Sequence, residues 1–175
     1  MFTKKSMDEL GRMSPDLARD HVTHPILLIL DDVRSMHNVG AAFRTADAFG
    51  IAAIYLCGYT PAPPHRDIRK TALGAEETVH WKHFYRIEDA LAQARALGYH
   101  LTAVEQAHGS MPLQQFVHEP QQPLALVFGN EVTGVSETAL AAAEYCIEIP
   151  QFGAKHSLNI SVSIGVVLWE LIRMA

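Results

Sequence analysis

Short, mostly apolar runs alternate along the chain with stretches whose apolar residues recur at helical spacing. The runs cover residues 26–30, 53–57, 100–104, 124–128 and 145–149. A short apolar run of this kind is typical of a strand buried on both faces of a parallel sheet. The same pattern predicts helices over residues 38–50, 87–97, 136–144 and 158–173. This alternation predicts an α/β fold with a mostly parallel sheet flanked by helices.

The two ends of the first predicted helix carry residues that are typical of helix caps. Asn38 is expected to be the N-cap, because its side chain can accept from a free backbone N–H. Gly50 is expected to be the C-cap, because glycine tolerates the left-handed backbone that ends many helices. Residues 58–77 are rich in Gly, Pro, His and Arg, which predicts an irregular, exposed connection.

Three loops that directly follow predicted strands hold the most unusual polar residues of the chain. They cover residues 31–38, 129–135 and 150–157. Ligands of open α/β sheets bind outside the carboxyl ends of the strands, which is where these loops are expected to lie. The sequence therefore predicts a functional site that is built from the three loops.

The loop at residues 129–135 places a glycine and an acid at the end of an apolar strand. Gly129 would let the backbone come close to a ligand, and Glu131 stands at the edge of the sheet. An ordinary turn with Ser136 as the N-cap of the next helix explains the same residues, so both interpretations stay open. Neither G-x-G-x-x-G nor G-x-x-x-x-G-K-[ST] occurs, so a dinucleotide fingerprint or a P-loop is not predicted.

The loop at residues 150–157 leads into the last predicted helix, whose start is marked by Ser157 and Asn159. Free backbone N–H groups at such a start can hold a carboxylate, although simple capping explains the same residues. Ser157, Ser161 and Gly165 recur every four residues, which indicates a face of small residues for the close packing of another element.

Arg44 stands among small helical neighbours in the first predicted helix. Gly40, Ala41 and Ala48 lie three or four residues from it and would leave room around its guanidinium. Asp47 lies three residues further on, and an ordinary surface ion pair between the two is the alternative interpretation.

Composition and charge narrow the class of protein. With 49% hydrophobic and 19% charged residues among 175, the chain is expected to form one globular domain. The sequence has no apolar run of about 18 residues, so no membrane span is predicted. The two cysteines lack a pairing pattern and indicate buried thiols in a reducing cytoplasm. His80 and His83 lack two further ligands at suitable spacing, so no metal site is predicted.

Charge is unevenly distributed along the chain. The net charge of −5 disfavours a nucleic-acid partner, because phosphate binding requires a basic surface. Several cations nonetheless fall in loops or near the predicted site, and a local basic patch on an acidic body stays open. Besides Arg44, the residues that would contact a nucleic acid there are Arg34, Arg66, Arg69, Lys70 and Lys155.

Three blocks of the sequence together resemble the SPOUT superfamily of methyltransferases, and within it the TrmH (SpoU) family. The first block runs from Asn38 to Arg44 as N-V-G-A-A-F-R, and the second is L-V-F-G-N-E-V-T-G-V-S, which contains Glu131. The third begins at I-P and ends in S-L-N with Asn159. The resemblance covers residues 26–172, and the three blocks in this order and spacing are highly specific.

The resemblance implies a catalytic domain over residues 26–175 after a short extension at residues 1–25. A C-terminal deep trefoil knot, the mark of the SPOUT fold, would thread the last segment through a loop. The methyl donor of the family, S-adenosylmethionine, would lie bent in the knot. The family is dimeric, which implies a homodimer with its site completed across the interface. By similarity, the donor-binding positions would be Val104, Gly129, Ile149, Ser157 and Leu158.

The reaction that the resemblance implies is methyl transfer to a ribose 2′-hydroxyl of tRNA or rRNA, an in-line displacement that needs no metal. Arg44 matches the catalytic arginine of the family, often proposed as the base. Because a guanidinium is almost always protonated, a charge stabiliser that grips a neighbouring phosphate is the physically easier role. The residues that would fix the hydroxyl, Arg44 and the loops are Asn38, Glu131, Ser157 and Asn159.

Two other functions compete with this one. A non-catalytic RNA-binding module with the same fold is one, although the intact motif residues argue against it. A nucleotide-binding oxidoreductase on an open α/β sheet is the other, and the missing glycine fingerprint argues against it. Many relatives carry a further RNA-binding domain or basic tails. The short ends here predict that target selection relies on the catalytic domain, on residues 66–70 or on a partner.

Overall fold

Seven strands form one sheet in the part of the chain that the structure describes. The computed structural model describes residues 2–6, 9, 11, 13, 21–154 and 157–173. The strands follow the spatial order third, second, first, sixth, fourth, seventh, fifth, and every neighbouring pair is parallel. They are β1 (His24–Asp31), β2 (Ile51–Cys57), β3 (Trp81–Phe84), β4 (His100–Val104), β5 (Met111–Pro112), β6 (Leu124–Phe128) and β7 (Tyr145–Glu148).

Helices cover both faces of this sheet. The described helices are α1 (Met36–Ala48), α2 (Arg66–Ala72), α3 (Ala75–Thr78), α4 (Ile87–Ala96), α5 (Glu137–Ala142) and α6 (Ile160–Arg173), with a 3-10 turn at Leu113–Gln115. Apolar residues of α1, α2 and α6 belong to the core on one face of the sheet. Those of α4 and α5 belong to the core on the other face. This arrangement confirms the predicted α/β fold, and the trefoil knot stays a prediction.

Strand β1 shows why its apolar run has no polar interruption. Leu28 and Leu30 point into the core formed with α1 and α6, whereas Leu27 and Ile29 point into the core formed with α4 and α5. All four side chains are fully buried. Successive residues of a strand face opposite sides, so a strand between two helical layers must be apolar at every position.

The connection after β2 is more regular than the sequence predicts. Residues 58–77 contain α2 and most of α3, so the expected irregular, exposed connection is wrong for half of its length. Ile68 and Ala72 lie one helical turn apart on α2 and are fully buried. A helix of seven residues offers only these two apolar positions, and the surrounding Pro, Gly and charged residues obscure so short a period.

Two strands and both ends of α1 also differ from the prediction. Strand β3 lies at the edge of the sheet and β5 has two residues, so neither carries an apolar run. Ser35, not Asn38, is the N-cap of α1, and its hydroxyl accepts from the Asn38 N–H at 3.3 Å. Phe49 is the C-cap, and Gly50 follows it with a φ of 58°. The side chain of Asn38 therefore serves another purpose than capping.

Both cysteines are free thiols, as the sequence predicts. Cys57 is fully buried and Cys146 is half-buried. Burial, together with the nearby charges of Asp31 and Asp32, raises the pKa of the Cys57 thiol far above its ordinary value. Within the described residues, no helix is long and apolar enough to cross a membrane, and no cluster of side chains has the composition of a metal site.

Candidate functional site

A large cleft lies at the carboxyl ends of the central strands. Strands β1, β6, β4 and β7 are neighbours in the sheet, so the loops that follow them share one edge. The loops after β4, β6 and β7 border a cleft of about 1150 Å³. The sheet order thus brings together most of the predicted catalytic and donor-binding residues, and those that line the cleft are Val104, Gly129, Glu131, Ile149, Ser157, Leu158 and Asn159.

The carboxylate of Glu131 ties the loop after β6 to the loop after β1. Its Oε1 accepts from Asn38 Nδ2 at 2.8 Å and from the backbone N–H of Ser35 at 3.3 Å. Its Oε2 accepts from the backbone N–H of Arg34 at 3.2 Å. One side chain therefore fixes both the backbone just before α1 and a polar side chain in the first turn of that helix.

Hydrogen bonding outweighs burial in setting the pKa of Glu131. Partial burial raises the pKa of this carboxyl group. The Asn38 side chain and the backbone N–H groups of Glu131 itself, Arg34 and Ser35 favour the carboxylate, and together they hold the pKa below its usual range. Glu131 is therefore ionised at neutral pH, and in this arrangement it accepts hydrogen bonds and has no proton to give.

Asn38 joins the loop after β6 to the start of α6. Because its amide nitrogen donates to Glu131, its Oδ1 is turned towards Asn159, whose Nδ2 donates to it at 3.1 Å. Asn159 Oδ1 in turn accepts from the backbone N–H of Ser161 at 2.9 Å and from its hydroxyl at 2.6 Å. Residues that lie far apart in the sequence are thereby joined in one chain of hydrogen bonds, Glu131–Asn38–Asn159–Ser161.

The start of the last helix combines capping with this chain of hydrogen bonds. Helix α6 begins at Ile160, two residues later than predicted, and Asn159 caps it through Ser161. Ser157 lies ahead of the helix, so the proposed helical face of Ser157, Ser161 and Gly165 is wrong. A Cβ atom built at Gly165 would meet nothing within 4 Å, so no described element packs closely there.

Gly129 has a structural role within its own loop, and its predicted approach to a ligand stays a prediction. A Cβ atom at this position would lie 2.0 Å from the carbonyl carbon of Gly134 and from the nitrogen of Val135. The loop folds back on itself here, and the N–H and C=O groups of Asn130 both pair with Gly134. Glycine is therefore required by the turn of the loop itself, although Gly129 also lines the cleft.

Two further side chains hold this loop and were not predicted. Asn130 Oδ1 accepts from two N–H groups of its own loop, the nearer at 2.7 Å, while its Nδ2 donates to the carbonyl of Asp32 at 2.8 Å. Glu105 accepts from the backbone N–H of Val135 at 2.9 Å. The tendency of asparagine to form such turns is a signal for Asn130. The sequence has no signal for Glu105, because only the order of the strands brings it beside Val135.

Arg44 stands apart from the chain of hydrogen bonds. It lies six residues beyond Asn38, about 9 Å along the axis of α1 and about 120° around it. Its side chain is exposed and makes no hydrogen bond or ion pair with a described residue. Asp47 accepts instead from the Thr78 hydroxyl at 2.6 Å, so the alternative of an Arg44–Asp47 pair is wrong.

The space beside Gly40 is not available to the Arg44 guanidinium either. A Cβ atom at Gly40 would lie 2.1 Å from Thr71 Oγ1 and 2.3 Å from the carbonyl oxygen of Ile68. Helix α2 fills that space, and the Thr71 hydroxyl donates to the carbonyl of His37 at 3.1 Å. The small residue at position 40 therefore lets α1 and α2 pack closely, so it is not there to leave room for the arginine.

The predicted RNA-contacting cations lie on the surface where the structure describes them. Arg34 is exposed in the loop after β1, and Arg66, Arg69 and Lys70 are exposed on α2. The Lys70 amine lies 2.7 Å from an Asp67 oxygen, and the nearest carboxylate oxygen to Arg69 is 3.9 Å away on Glu77. Lys155 lies outside the described residues.

Comparison with protein families shows which family this chain belongs to. The model of the SpoU rRNA methylase family matches residues 25–169. The chain belongs to the SpoU rRNA methylase family. The matched range contains the cleft-lining loops and the whole Glu131–Asn38–Asn159–Ser161 chain, so the resemblance identified from the three sequence blocks is confirmed.

Two curated relatives illustrate the range of SpoU proteins that this chain is similar to. The 23S rRNA (guanosine-2′-O-)-methyltransferase RlmB of Vibrio parahaemolyticus is 34% identical over 160 residues, which cover 90% of this chain. The tRNA (guanosine(18)-2′-O)-methyltransferase of Escherichia coli K12 is 30% identical over 164 residues, which cover 94% of this chain. The chain spans 62% and 66% of the lengths of these two relatives.

Solved SpoU structures share the fold. An AdoMet-bound rRNA methyltransferase from Sinorhizobium meliloti matches with a TM-score of 0.81 at 31% identity, covering 93% of this chain and 61% of that one. The TrmH/SpoU tRNA modifying enzyme of A. aeolicus matches with a TM-score of 0.79 at 25% identity, covering 91% and 81%. The parallel sheet with its helical layers is thus the SpoU architecture.

Proposed function

We propose that this SpoU chain transfers a methyl group from S-adenosylmethionine to a ribose 2′-hydroxyl of tRNA or rRNA. The relatives described above are named for 2′-O-methylation of guanosine in 23S rRNA and in tRNA. The observation that carries the proposal is the chain Glu131–Asn38–Asn159 at the rim of the cleft. These hydrogen bonds fix the rim before any ligand binds. An in-line displacement needs fixed groups of this kind to align its reactants.

The cleft suits S-adenosylmethionine in size and chemistry. A cleft of about 1150 Å³ can accept a nucleoside-sized ligand together with part of an RNA strand. Val104, Ile149 and Leu158 supply apolar surface for an adenine ring, and the carboxylates of Glu105 and Glu148 suit a cation. When bound, the sulfonium of the donor supplies an electrophilic methyl group without a metal. Backbone groups of the loops after β4, β6 and β7 would hold the donor in place.

Arg44 is proposed to stabilise charge on the attacking oxygen and to hold a neighbouring phosphate. Its guanidinium is exposed and has no partner among the described residues, so it can donate to RNA without first breaking an ion pair. A protonated guanidinium has five N–H donors and no acceptor. It is therefore better suited to stabilise a developing alkoxide or bind a phosphate than to act as a base.

Ser157 and Asn159 are proposed to position the ribose hydroxyl. Both line the cleft, and Ser157 makes no hydrogen bond to a described residue. Asn159 is held by Asn38 on one side and by Ser161 on the other, so its place at the rim is fixed. A fixed amide beside a free hydroxyl can orient a small polar group of the substrate.

The enzyme is proposed to act as a homodimer through α6. Val162, Val166 and Trp169 are 50%, 39% and 61% exposed and recur along one side of this helix. They border a groove of about 620 Å³ together with Ile149, which also lines the catalytic cleft. A second copy in this groove would reach the cleft. Trp169→Glu is expected to convert a dimer into a monomer in sedimentation velocity, and a wild-type chain that sediments as a monomer would rule the dimer out.

The test of the activity uses donor with a labelled methyl group and RNA from cells that lack the gene. A 2′-O-methyl group makes the next phosphodiester resistant to alkali, so the modified position can be mapped. Label is expected at one resistant position that is missing in the deletion strain and restored by the wild-type gene. A chain that binds RNA but shows no heat of donor binding and no label would instead be the non-catalytic module.

A further inference from the structure

A second pocket lies beside α2 and shares no residue with the catalytic cleft. Its volume is about 670 Å³, and it runs between α2, α3 and the start of β3. Its lining combines three kinds of chemistry: arginines, carboxylates and an indole ring. None of the residues that line it belongs to the catalytic residues proposed above, so the pocket needs its own explanation.

The arginine wall of the pocket keeps most of its charge available. Arg66 makes no ion pair with a described residue, and the one pair that Arg69 makes within the described part of the chain joins atoms 3.9 Å apart on two well-exposed side chains. An exposed pair at that distance contributes little and opens easily. The neighbouring Lys70 is paired with Asp67 at 2.7 Å, so the two guanidiniums are the groups best placed to receive an anion.

Trp81 adds a flat aromatic surface to the same pocket. It is the first residue of β3, the strand at the edge of the sheet, and it is 37% exposed although its side chain is large and apolar. A nucleobase stacks on such a ring whatever its sequence, provided that the base is unpaired. An arginine pair beside an exposed indole is the combination used to hold a phosphate and its base together.

The carboxylates favour a whole nucleotide over a bare anion. Glu76 and Glu77 also line the pocket, and they would repel a phosphate that was bound alone. A base with amino or imino N–H groups, such as guanine or cytosine, can donate to a carboxylate while its phosphate lies on the arginines. We propose that this pocket binds one unpaired nucleotide of the RNA substrate, with its base on Trp81 and its phosphate on Arg66 and Arg69. The inference rests on the proposed function.

The packing of the helices connects this pocket rigidly to the catalytic cleft. Helix α2 is locked to α1, because the Thr71 hydroxyl donates to the carbonyl of His37 and because Gly40 leaves no gap between the helices. The next residue on α1, Asn38, is bonded to Glu131 at the rim. A nucleotide in the pocket would therefore set which ribose of the same strand reaches the cleft.

The test compares Trp81 variants with a matched aromatic control. Tyr85, four residues further on, is 90% exposed and lies outside the pocket. The Kd of a fluorescein-labelled, unstructured oligoribonucleotide is expected to rise about 5- to 100-fold in Trp81→Ala and to change little in Trp81→Phe or Tyr85→Ala. Arg66→Gln should reduce by about one the slope of log Kd against log salt.

Tryptophan fluorescence gives a second measurement that does not depend on how well Trp81→Ala folds. The chain has two tryptophans, Trp81 and Trp169. RNA is expected to quench the emission of the wild type and to leave that of Trp81→Phe unquenched. Equal affinities of wild type and Trp81→Ala, or quenching that survives in Trp81→Phe, would overturn the proposal and leave the pocket to a protein partner.

Failure of this inference can be told from failure of the proposed function. Calorimetry with S-adenosylmethionine should give the same affinity for Trp81→Ala and for the wild type, because the pocket and the cleft share no residue. A wild type that methylates RNA while Trp81→Ala binds RNA equally well would refute only the nucleotide pocket. A wild type that binds no RNA and transfers no methyl group would refute both.

Discussion

The polar side chains at the rim of the cleft are bonded to one another, whereas those of the cationic face on α1 and α2 are almost unpaired. At the rim, Glu131, Asn38 and Asn159 bond to one another. By the cationic face we mean three exposed arginines of the packed helices α1 and α2, namely Arg44, Arg66 and Arg69; the first two have no described partner, and Arg69 has only a long pair. The rim is thus arranged before a ligand arrives, whereas the face keeps its donors for one.

The physical reason for the difference is that the rim groups hold separate segments of the chain together. Glu131 and Asn159 are exposed and Asn38 is half-buried, but their hydrogen bonds join the loop before α1 and the loop after β6 to the start of α6. Losing one of these groups would therefore loosen the others. An exposed guanidinium is hydrated when it is unpaired, so leaving it free costs the fold little. Substitutions at the rim should therefore change both stability and turnover, while substitutions on the cationic face should change turnover or RNA affinity alone.

Arg44→Ala is the substitution with the largest expected effect. Removing a donor that stabilises a developing negative charge lowers kcat by about 100- to 1000-fold. The free energy of unfolding should stay within about 0.5 kcal/mol of the wild type, because the side chain is exposed and unpaired. Methyl transfer under saturating donor and urea denaturation provide the two measurements.

The control for Arg44→Ala is Arg86→Ala, another exposed arginine, which lies at the start of α4 and pairs with Glu88 at 3.3 Å. Its turnover should equal that of the wild type. Turnover retained in Arg44→Ala would end the catalytic assignment of this residue. A large loss of stability in Arg44→Ala would show that this arginine stabilises the fold. The proposed difference between the cationic face and the rim would then be wrong.

Gly40→Ala tests whether the two regions are mechanically joined. The added Cβ atom would lie 2.3 Å from the backbone oxygen of Ile68, so α1 and α2 must separate, which should cost about 1–3 kcal/mol in the free energy of unfolding. Gly165→Ala is the matched helical control, because a Cβ there meets nothing within 4 Å in one copy and alanine favours a helix by up to about 1 kcal/mol. Gly165 lines the groove of the proposed dimer, so both variants are compared in the Trp169→Glu background. A neutral Gly40→Ala would show that the helices are not locked.

The sequence predicts the central strands well because each is buried on both faces. The apolar runs of β1 and β6 follow directly from that double burial, and the runs that mark β2, β4 and β7 are also found as strands. The sequence pattern does not predict edge strand β3, because only Phe84 at its end is buried and its other side chains face solvent in part. Periodicity needs several buried positions, and neither α2 nor β5 has enough of them.

The site was predictable as a set of residues but not as a set of contacts. The rule for ligands of parallel sheets, together with the family motifs, selects Asn38, Glu131 and Asn159. Their order, in which Asn38 stands between the other two, depends on β1 being the neighbour of β6. The pairing of β4 with β6 likewise puts Glu105 beside Val135, and no local sequence pattern predicts this contact.

Asn159→Ala and Asn159→Asp separate the role of this rim residue as the cap of α6 from its hydrogen bond to Asn38. Alanine removes the cap of α6 and should lower the free energy of unfolding by about 1 kcal/mol. Aspartate can still accept from Ser161, so it should restore stability, but it cannot donate to Asn38 as the amide does at 3.1 Å. Turnover should therefore stay low in both variants. Full activity in Asn159→Asp would show that the link to Asn38 is dispensable.

The pH dependence of Glu131→Gln is the smallest effect and the sharpest test of the rim. Glutamine keeps an acceptor at the Oε1 position for Asn38 and Ser35 but turns an N–H donor towards the backbone N–H of Arg34, at a cost of about 0.5–1 kcal/mol. The folded pKa of Glu131 lies below its usual range, so its stabilising contribution is complete above the unfolded value of about 4.3 and is lost as the pH falls through the folded value.

The stability of wild type over Glu131→Gln should therefore be constant above about pH 5 and shrink on further acidification. Urea midpoints measured across this range give the difference directly. Glu119→Gln is the control, since its carboxylate is exposed and accepts no hydrogen bond from a described residue, and its midpoints should follow those of the wild type. The stability difference between wild type and Glu131→Gln could instead stay constant at pH values well below the ordinary pKa range of a glutamate. That result would mean that the shape of the side chain, and not the charge of its carboxylate, holds the rim together.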